Sequence, residues 1–156
     1  MSARDAHDQL AKLTVLRKRR IDANLKNVKD CQAALRDAQV KLEESHRLQR
    51  DISDARMRLR VEAVMVPARG EYGQRWQLDQ IENLKIQLTL EQERAVGIEN
   101  EIAAAEQMLL NAQEALRVAQ KRLRALEMQV AHYRLELRQE ERRKEYRELE
   151  ELVVRP

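Results

Sequence analysis

Bulky aromatic side chains are nearly absent from this chain. It has no phenylalanine, one tryptophan and three tyrosines, so that aromatic residues make up 3% of its 156 residues. A globular core of ordinary size depends on bulky apolar side chains. The composition therefore argues against a globular domain with a core of its own.

The residues that usually carry chemistry are also scarce. Cys31 is the single cysteine, which excludes an internal disulfide and suits a reducing compartment. His7, His46 and His132 lack the spacing of metal ligands, and the sequence contains no Gly-rich phosphate loop and no nucleophile elbow. We therefore expect no catalytic, cofactor-binding or metal-binding residues, and a protein that is not an enzyme.

Long apolar runs are missing as well. The first residues, MSARDAHDQLAKL, lack the apolar segment of a signal peptide, and no run approaches the length of a membrane span. The formal net charge is only +3, with basic and acidic residues interleaved, which argues against a continuous phosphate-binding stripe. We expect a cytoplasmic protein that binds no nucleic acid and does not insert into a membrane.

What the chain does contain is a regular pattern. It is 37% charged, and its apolar residues are mainly Leu, Ala, Val and Ile, a composition typical of coiled coils. From Ile81 to Leu137 the apolar residues alternate in steps of three and four, a period that a disordered polar chain would not maintain. One row is Ile81, Leu88, Ala95, Ile102, Leu109, Leu116, Leu123, Val130 and Leu137, and the other is Leu84, Glu91, Ile98, Ala105, Ala112, Ala119, Leu126 and Tyr133. The pattern predicts a second helix over about residues 74 to 150, which would span on the order of 110 Å.

The first half shows the same period with more polar interruptions. One row is Ile21, Val28, Leu35 and Leu42, and the other is Cys31, Ala38, Ser45, Ile52, Leu59 and Val66. We predict a first helix over about residues 4 to 65. Because its apolar row is narrow, its stability must come from packing against a partner helix.

The segment VMVPARGEYGQRW, residues 64 to 76, separates the two patterns. Pro67 cannot continue a helix, and Gly70 and Gly73 permit the positive φ angles of a tight reversal. A turn over about residues 66 to 73 would place facing residues at numbers that sum to roughly 141, with Ile52 near Leu88. The predicted fold is all-α: one long antiparallel two-helix coiled-coil hairpin over residues 1 to 156, without a globular domain. Pairing between two chains is the alternative, because heptads also form dimers.

Three stretches outside these rows stand out as candidate contact surfaces. The first is a basic cluster of Arg17, Lys18, Arg19 and Arg20, preceded by Val15 and Leu16 beside the apolar row. The second is the C-terminal overhang, residues 140 to 156, which would have no partner helix and contains Tyr146 and Leu149. The third is the turn, where Trp76 either covers the end of the apolar row against Leu59 or Met65, or anchors a partner.

This layout resembles the stalk, or central-stem, proteins of type III secretion systems and their flagellar export counterparts. The resemblance lies in the Arg-, Glu- and Gln-rich hairpin as a whole and, in pattern, in LAKLTVLRKRRIDANLKNVKDCQAAL, residues 10 to 35. It implies a protein that couples a hexameric export ATPase to a membrane-embedded export gate. In architecture, such a protein is similar to the coiled-coil stem of the rotary-ATPase gamma subunit. It also implies a cytoplasmic location at the periphery of the inner membrane, and in some members binding of secretion chaperones.

The resemblance further implies two partner surfaces. The surface toward the ATPase would comprise Val15, Leu16, Arg17, Lys18, Arg19, Arg20, Arg142, Arg143, Lys144 and Tyr146. The surface toward the export gate would comprise Met57, Arg60, Tyr72, Trp76 and Gln80. The alternative function is a coiled-coil scaffold or chaperone-like adaptor, which needs exposed apolar residues outside the two rows. The sequence offers few of these apart from Val15, Leu16, Leu78 and Leu90.

The helix rows yield a first prediction. Leu116→Asp places an unpaired charge on the predicted apolar row, so we expect a loss of helicity by circular dichroism and a lower melting temperature. An unchanged melting curve would show that Leu116 lies off the row.

Overall fold

The computed structural model describes residues 2 to 154, and within them the chain forms two helices and no strand. Helix α1 comprises Ala3–Met65 and helix α2 comprises Glu71–Val154. The all-α helical hairpin without a globular domain is thereby confirmed. The turn is shorter than predicted, because α2 begins at Glu71 and not near residue 74.

The chain divides into two compact units. Unit 1 contains Met1–Lys29 and Leu110–Pro156, and unit 2 contains Asp30–Leu109, which includes the turn. Each unit therefore combines one segment of α1 with one segment of α2. Neither helix, over the residues described, has a segment long and apolar enough to cross a membrane.

Ser2 caps the start of α1. The Ser2 Oγ accepts a hydrogen bond from the Asp5 backbone N–H at 3.2 Å, and the Ser2 hydroxyl donates to the Asp5 carboxylate at 2.8 Å. The Asp5 carboxylate also accepts from the Ser2 backbone N–H at 3.4 Å. This reciprocal arrangement satisfies amide groups that the first helical turn leaves without partners, and it places a negative charge at the positive end of the helix dipole.

In α2, the two predicted rows form one stripe of reduced exposure, which we call the seam. Every member of both rows, from Ile81 to Leu137, is buried or half-buried. The buried ones, each 5 to 8% exposed, are mainly small: Ala95, Ile98, Ala112, Ala119 and Leu126. Small side chains let two helix backbones approach closely, so that a narrow stripe suffices to hold each pair of segments.

In α1, the seam follows the predicted period but differs in two details. Val66, predicted at its end, lies in the turn and is exposed. Leu25, which the register summing to 141 sets opposite Leu116, is 40% exposed, and its neighbour Asn24 is the half-buried residue. The reason is geometric: the steps of three and four from Ile21 to Val28 pass through position 24, whatever residue stands there.

Several polar side chains therefore lie in the seam. Ser45 is the one buried polar residue among those described, and it accepts a hydrogen bond from the Gln49 side-chain amide at 3.3 Å. Glu91, the strongly polar residue of its predicted row, has a side chain only 11% exposed and pairs with Arg94 at 3.5 Å. Arg94 lies three residues from Glu91 on the same helix, so this pair does not depend on how α1 and α2 are aligned, and a nearly buried charge of this kind contributes little net stability.

Replacement of Gly97 by alanine should stabilise α2. Gly97 lies at an exposed position inside α2, and a Cβ added there would meet nothing within 4 Å. Gly97→Ala should therefore raise the free energy of unfolding by about 1 kcal/mol, since glycine is the poorer helix former. Urea denaturation measures the change. Gly73→Ala is the matched control in the same helix: its new Cβ would lie 2.9 Å from the Ala68 Cβ. A stabilising Gly73→Ala or a neutral Gly97→Ala would contradict these environments.

Candidate interaction surfaces

One residue of the basic cluster lies in the seam, and the other three lie outside it. Lys18, Arg19 and Arg20 are exposed, as are the preceding Val15 and Leu16. Arg17 differs, because it occupies the seam position four residues before Ile21. It is half-buried, and its buried Nη1 has no hydrogen-bond partner. Arg17 is therefore a seam residue whose guanidinium is partly withdrawn from solvent.

The exposed part of the basic cluster lies beside further basic residues of α2. Leu13 and Met128 line one groove in unit 1, and their numbers sum to 141, as the predicted antiparallel register requires. The same register sets residues 18 to 20 opposite Lys121, Arg122 and Arg124, which are exposed. These three residues were missed in the sequence because they are separated from the cluster by about 100 positions, although the register could have found them.

The combined group, which we call the basic band, consists of Lys18, Arg19, Arg20, Lys121, Arg122 and Arg124. Among the described residues, no salt bridge involves any member of it. Nearby Arg117 donates a hydrogen bond to Glu114 at 2.8 Å, and this bond, together with the charges of Arg117 and Lys121, lowers the pKa of that carboxyl. The basic band is thus a group of six cations without acidic neighbours at ion-pair distance, and it would attract an acidic partner.

An apolar groove of about 560 Å³ adjoins the band in the same unit. Its lining includes Leu10, Leu13, Met128 and Tyr133, together with His132. The His132 ring lies edge-on to the Tyr133 ring, with 5.8 Å between the ring centroids, and its Nε2 is 3.0 Å from the Glu136 carboxylate. Unit 1 therefore exposes apolar surface beside cationic surface, a combination that suits a protein partner.

The C-terminal overhang is exposed throughout its described part, residues 140 to 154, and exposure begins at Arg138. The seam ends there because its continuation is charged, passing through Glu140, Lys144 and Arg147. Ser2 and Ala3 line a groove of about 660 Å³ together with Leu137 and Glu140, so α1 begins beside the point where the overhang leaves the pair. Its apolar residues, Tyr146, Leu149, Leu152, Val153 and Val154, are all largely exposed.

The predicted ATPase-facing residues form two separate groups. All ten lie in unit 1, and nine are exposed, including Arg142, Arg143, Lys144 and Tyr146. However, the basic cluster lies about 20 Å along α1 from the helix start that borders the overhang, at 1.5 Å per residue. The glutamates of the overhang are therefore too far from the basic cluster to form ion pairs with it.

The predicted gate-facing residues all lie in unit 2, on both sides of the turn. Met57, Arg60 and Tyr72 are exposed, and Gln80 is half-buried next to the seam. Trp76 is 61% exposed and Met65 is 75% exposed, so the suggestion that Trp76 covers the end of the apolar row against Met65 or Leu59 is wrong. The sole tryptophan faces solvent.

Gln77, the residue after Trp76, closes the turn instead. Its side-chain carbonyl accepts a hydrogen bond from the Ala68 N–H at 3.2 Å, and its side-chain amide donates to the Val66 carbonyl at 3.5 Å. Both ends of one side chain thus bind the backbone on either side of Pro67. This role could not be predicted from the sequence, because glutamine is common on solvent-exposed helix faces.

The two turn glycines have different roles. Gly70 has a φ of 84°, as predicted. Gly73 does not have a positive φ, which corrects the prediction for that residue. It lies in the first turn of α2, where a side chain would collide with Ala68, so its role is to permit close approach of the turn.

The described residues contain no cluster of three or more His, Cys, Asp or Glu side chains that could hold a metal ion. Comparison of the chain with protein-family models, with curated proteins and with solved structures finds no match.

Formal charge is distributed unequally between the units. Unit 1 has 19 Lys and Arg residues against 12 Asp and Glu residues, a net charge of +7. Unit 2 has 11 against 15, a net charge of −4. The modest overall charge of +3 thus conceals two units of opposite sign.

The turn yields the prediction of this section. Gln77→Ala removes two hydrogen bonds to turn backbone and should lower the free energy of unfolding by about 1 to 2 kcal/mol. Gln74→Ala, an exposed glutamine one turn earlier in the helix, is the matched control and should change it by less than about 0.5 kcal/mol. Equal effects of the two substitutions in thermal denaturation would show that Gln77 does not hold the turn.

Proposed function

We propose that this protein is the cytoplasmic stalk of a bacterial type III secretion or flagellar export apparatus, coupling a hexameric export ATPase to the membrane export gate. In this role unit 1 binds the ATPase and the turn of unit 2 reaches the gate protein. Secretion chaperones are further candidate partners. The proposal starts from the resemblance in the first helix and in the hairpin layout.

The observation that carries the proposal is the chemical difference between the exposed surfaces of the two units. Unit 1 exposes the basic band, the apolar groove beside it and the overhang. Unit 2 exposes aromatic and aliphatic side chains around its turn. A coupling protein needs two surfaces that select different partners, and differences in charge supply such selection.

The test uses the export ATPase of the same organism. We expect the chain, at about one copy per six ATPase subunits as a central stalk requires, to increase the hexamer fraction and the rate of ATP hydrolysis at fixed salt. Analytical ultracentrifugation measures the first and a phosphate-release assay the second. Absence of both effects, with the chain shown to be folded, would contradict the stalk function.

A charge-reversal pair assigns the contact. The double variant Lys18→Glu with Arg19→Glu should raise the concentration of the chain needed for half-maximal ATPase stimulation by at least about tenfold, because the basic band would no longer attract an acidic surface. Arg47→Glu with Arg50→Glu is the matched control, since both are exposed arginines of unit 2. If the two double variants lose stimulation equally, overall charge and not the band is responsible.

One observation favours the alternative of a coiled-coil scaffold or chaperone-like adaptor. Exposed apolar residues are much more numerous than the few expected from the sequence, and they include Ile86, Val96, Met108 and Leu110 in addition to Leu78. Such residues could hold client segments along the helices. A stalk binds its ATPase at a fixed ratio, whereas an adaptor of this kind would bind clients at several sites, so the stoichiometry of binding separates the two.

A further inference from the structure

The turn of unit 2 carries the densest group of exposed apolar side chains near a chain reversal. Val64 is 80% exposed, Val66 73% and Tyr72 91%, and Met65 and Trp76 are also largely exposed. We call these five residues the tip. We propose that the tip enters the interface of an anionic lipid membrane. This inference concerns unit 2 alone and does not depend on the proposed function.

The tip belongs to the two helix ends and the turn between them. Val64 and Met65 are the last two residues of α1, and Val66 follows them in the turn. Tyr72 and Trp76 lie four positions apart, so they share one face of the first turns of α2. Apolar side chains thus project from both helices at the same end of the unit.

The depth of the tip matches that of interfacial binding. Trp76 is the sixth residue of α2, about 8 Å along the axis from Glu71 at 1.5 Å per residue. Peripheral segments bury their apolar side chains about 5 to 10 Å into the boundary between headgroups and acyl chains. The Val66 carbonyl bonds to Gln77, the residue after Trp76, so the apolar side chains of the two helices lie at similar depth. Tip-first entry, led by the turn between the helices, would therefore bring Val66 and Trp76 together to the boundary between headgroups and acyl chains, where tryptophan is enriched.

Charge favours an anionic surface approached tip-first. The segment from residue 57 to residue 80 contains Arg58, Arg60, Arg69 and Arg75 against three acidic residues, a net charge of +1. The remainder of unit 2 contains seven basic and twelve acidic residues, a net charge of −5. An anionic membrane would attract the arginines near the tip and repel the helical segments behind them, which disfavours binding along the side of the unit.

The shape of the tip also fits a lipid surface. Val64 and Met65 line a groove of about 380 Å³ with Arg60 and Val61, and Tyr72 lines a more polar groove of about 510 Å³ with Arg75 and Leu78. Val66 and Trp76 line neither groove and are largely exposed. Exposed apolar side chains can enter a fluid apolar phase without the matching pockets that anchors of protein interfaces fill.

Trp76 is the single tryptophan, so the intrinsic fluorescence of the chain reports on the environment of the tip. The full chain is titrated with vesicles of phosphatidylcholine containing a minority of phosphatidylglycerol, and with vesicles of phosphatidylcholine alone. We expect the Trp76 emission to shift to shorter wavelength and to be quenched by lipids brominated near the headgroup. Binding to the neutral vesicles should be weaker by about tenfold, because the arginines lose their anionic counterparts.

Two double variants distinguish insertion of the tip from nonspecific binding by exposed apolar residues elsewhere on the chain. Val64→Ser with Met65→Ser should weaken the partition coefficient by about 100-fold, since two largely exposed apolar side chains can no longer enter the acyl boundary. Leu152→Ser with Val153→Ser is the matched control, because both residues are similarly exposed but lie in the overhang. All four side chains are solvent-facing, so circular dichroism should show that both variants keep their helicity.

Each outcome bears on the proposal. Loss of binding in the tip variant alone, together with quenching of Trp76, supports it. Absence of an emission shift with anionic vesicles overturns it and leaves the tip as a protein-binding surface. Equal loss of binding in both double variants, or binding that leaves the Trp76 emission unchanged, also overturns it, because contact would then occur elsewhere on the chain.

Discussion

Everything in this hairpin depends on a seam one or two side chains wide between α1 and α2. Few bulky residues are available, so the helices are held by a repeated stripe in which Ala95, Ala112 and Ala119 are among the most buried side chains. Such a seam contributes little stability per turn, and it must therefore be long. Its narrowness also leaves most of the surface of each helix exposed over the residues that the structure describes.

The seam contains polar side chains as well as apolar ones. Arg17, Asn24 and Gln49 occupy positions that an apolar residue would fill in an ideal coiled coil, and Glu91 lies almost buried in α2. The contacts shown for Gln49 and Glu91 lie within one helix, to Ser45 and to Arg94. The turn is held by bonds of its own, since Gln77 bonds to the backbone on both sides of Pro67 and Gly73 permits close approach to Ala68.

The rows from Ile81 to Leu137 could be predicted because the spacing of apolar residues along the sequence shows the helical period. The end of α1 at Met65 could be predicted because Pro67 cannot continue a helix. The roles of single residues could not. Trp76 looks like a core residue by hydropathy, yet its position on the first turns of α2 turns it outward. Arg17 looks like a surface residue, yet the period places it in the seam. The basic band needed the antiparallel register, which joins residues that are distant in sequence. The partners of these surfaces stay a proposal.

Amide hydrogen exchange, resolved by residue, tests most directly the claim that a single seam holds the structure. We expect protection on both helices from the first turns of α1 to Leu137 and a sharp fall from Arg138 onward, where the described part of α2 is exposed and a lone helix is marginal in water. Protection that continued unchanged through Val154 would mean that the overhang is held by another contact, such as a second copy of the chain. Rapid exchange throughout both helices would contradict the seam itself.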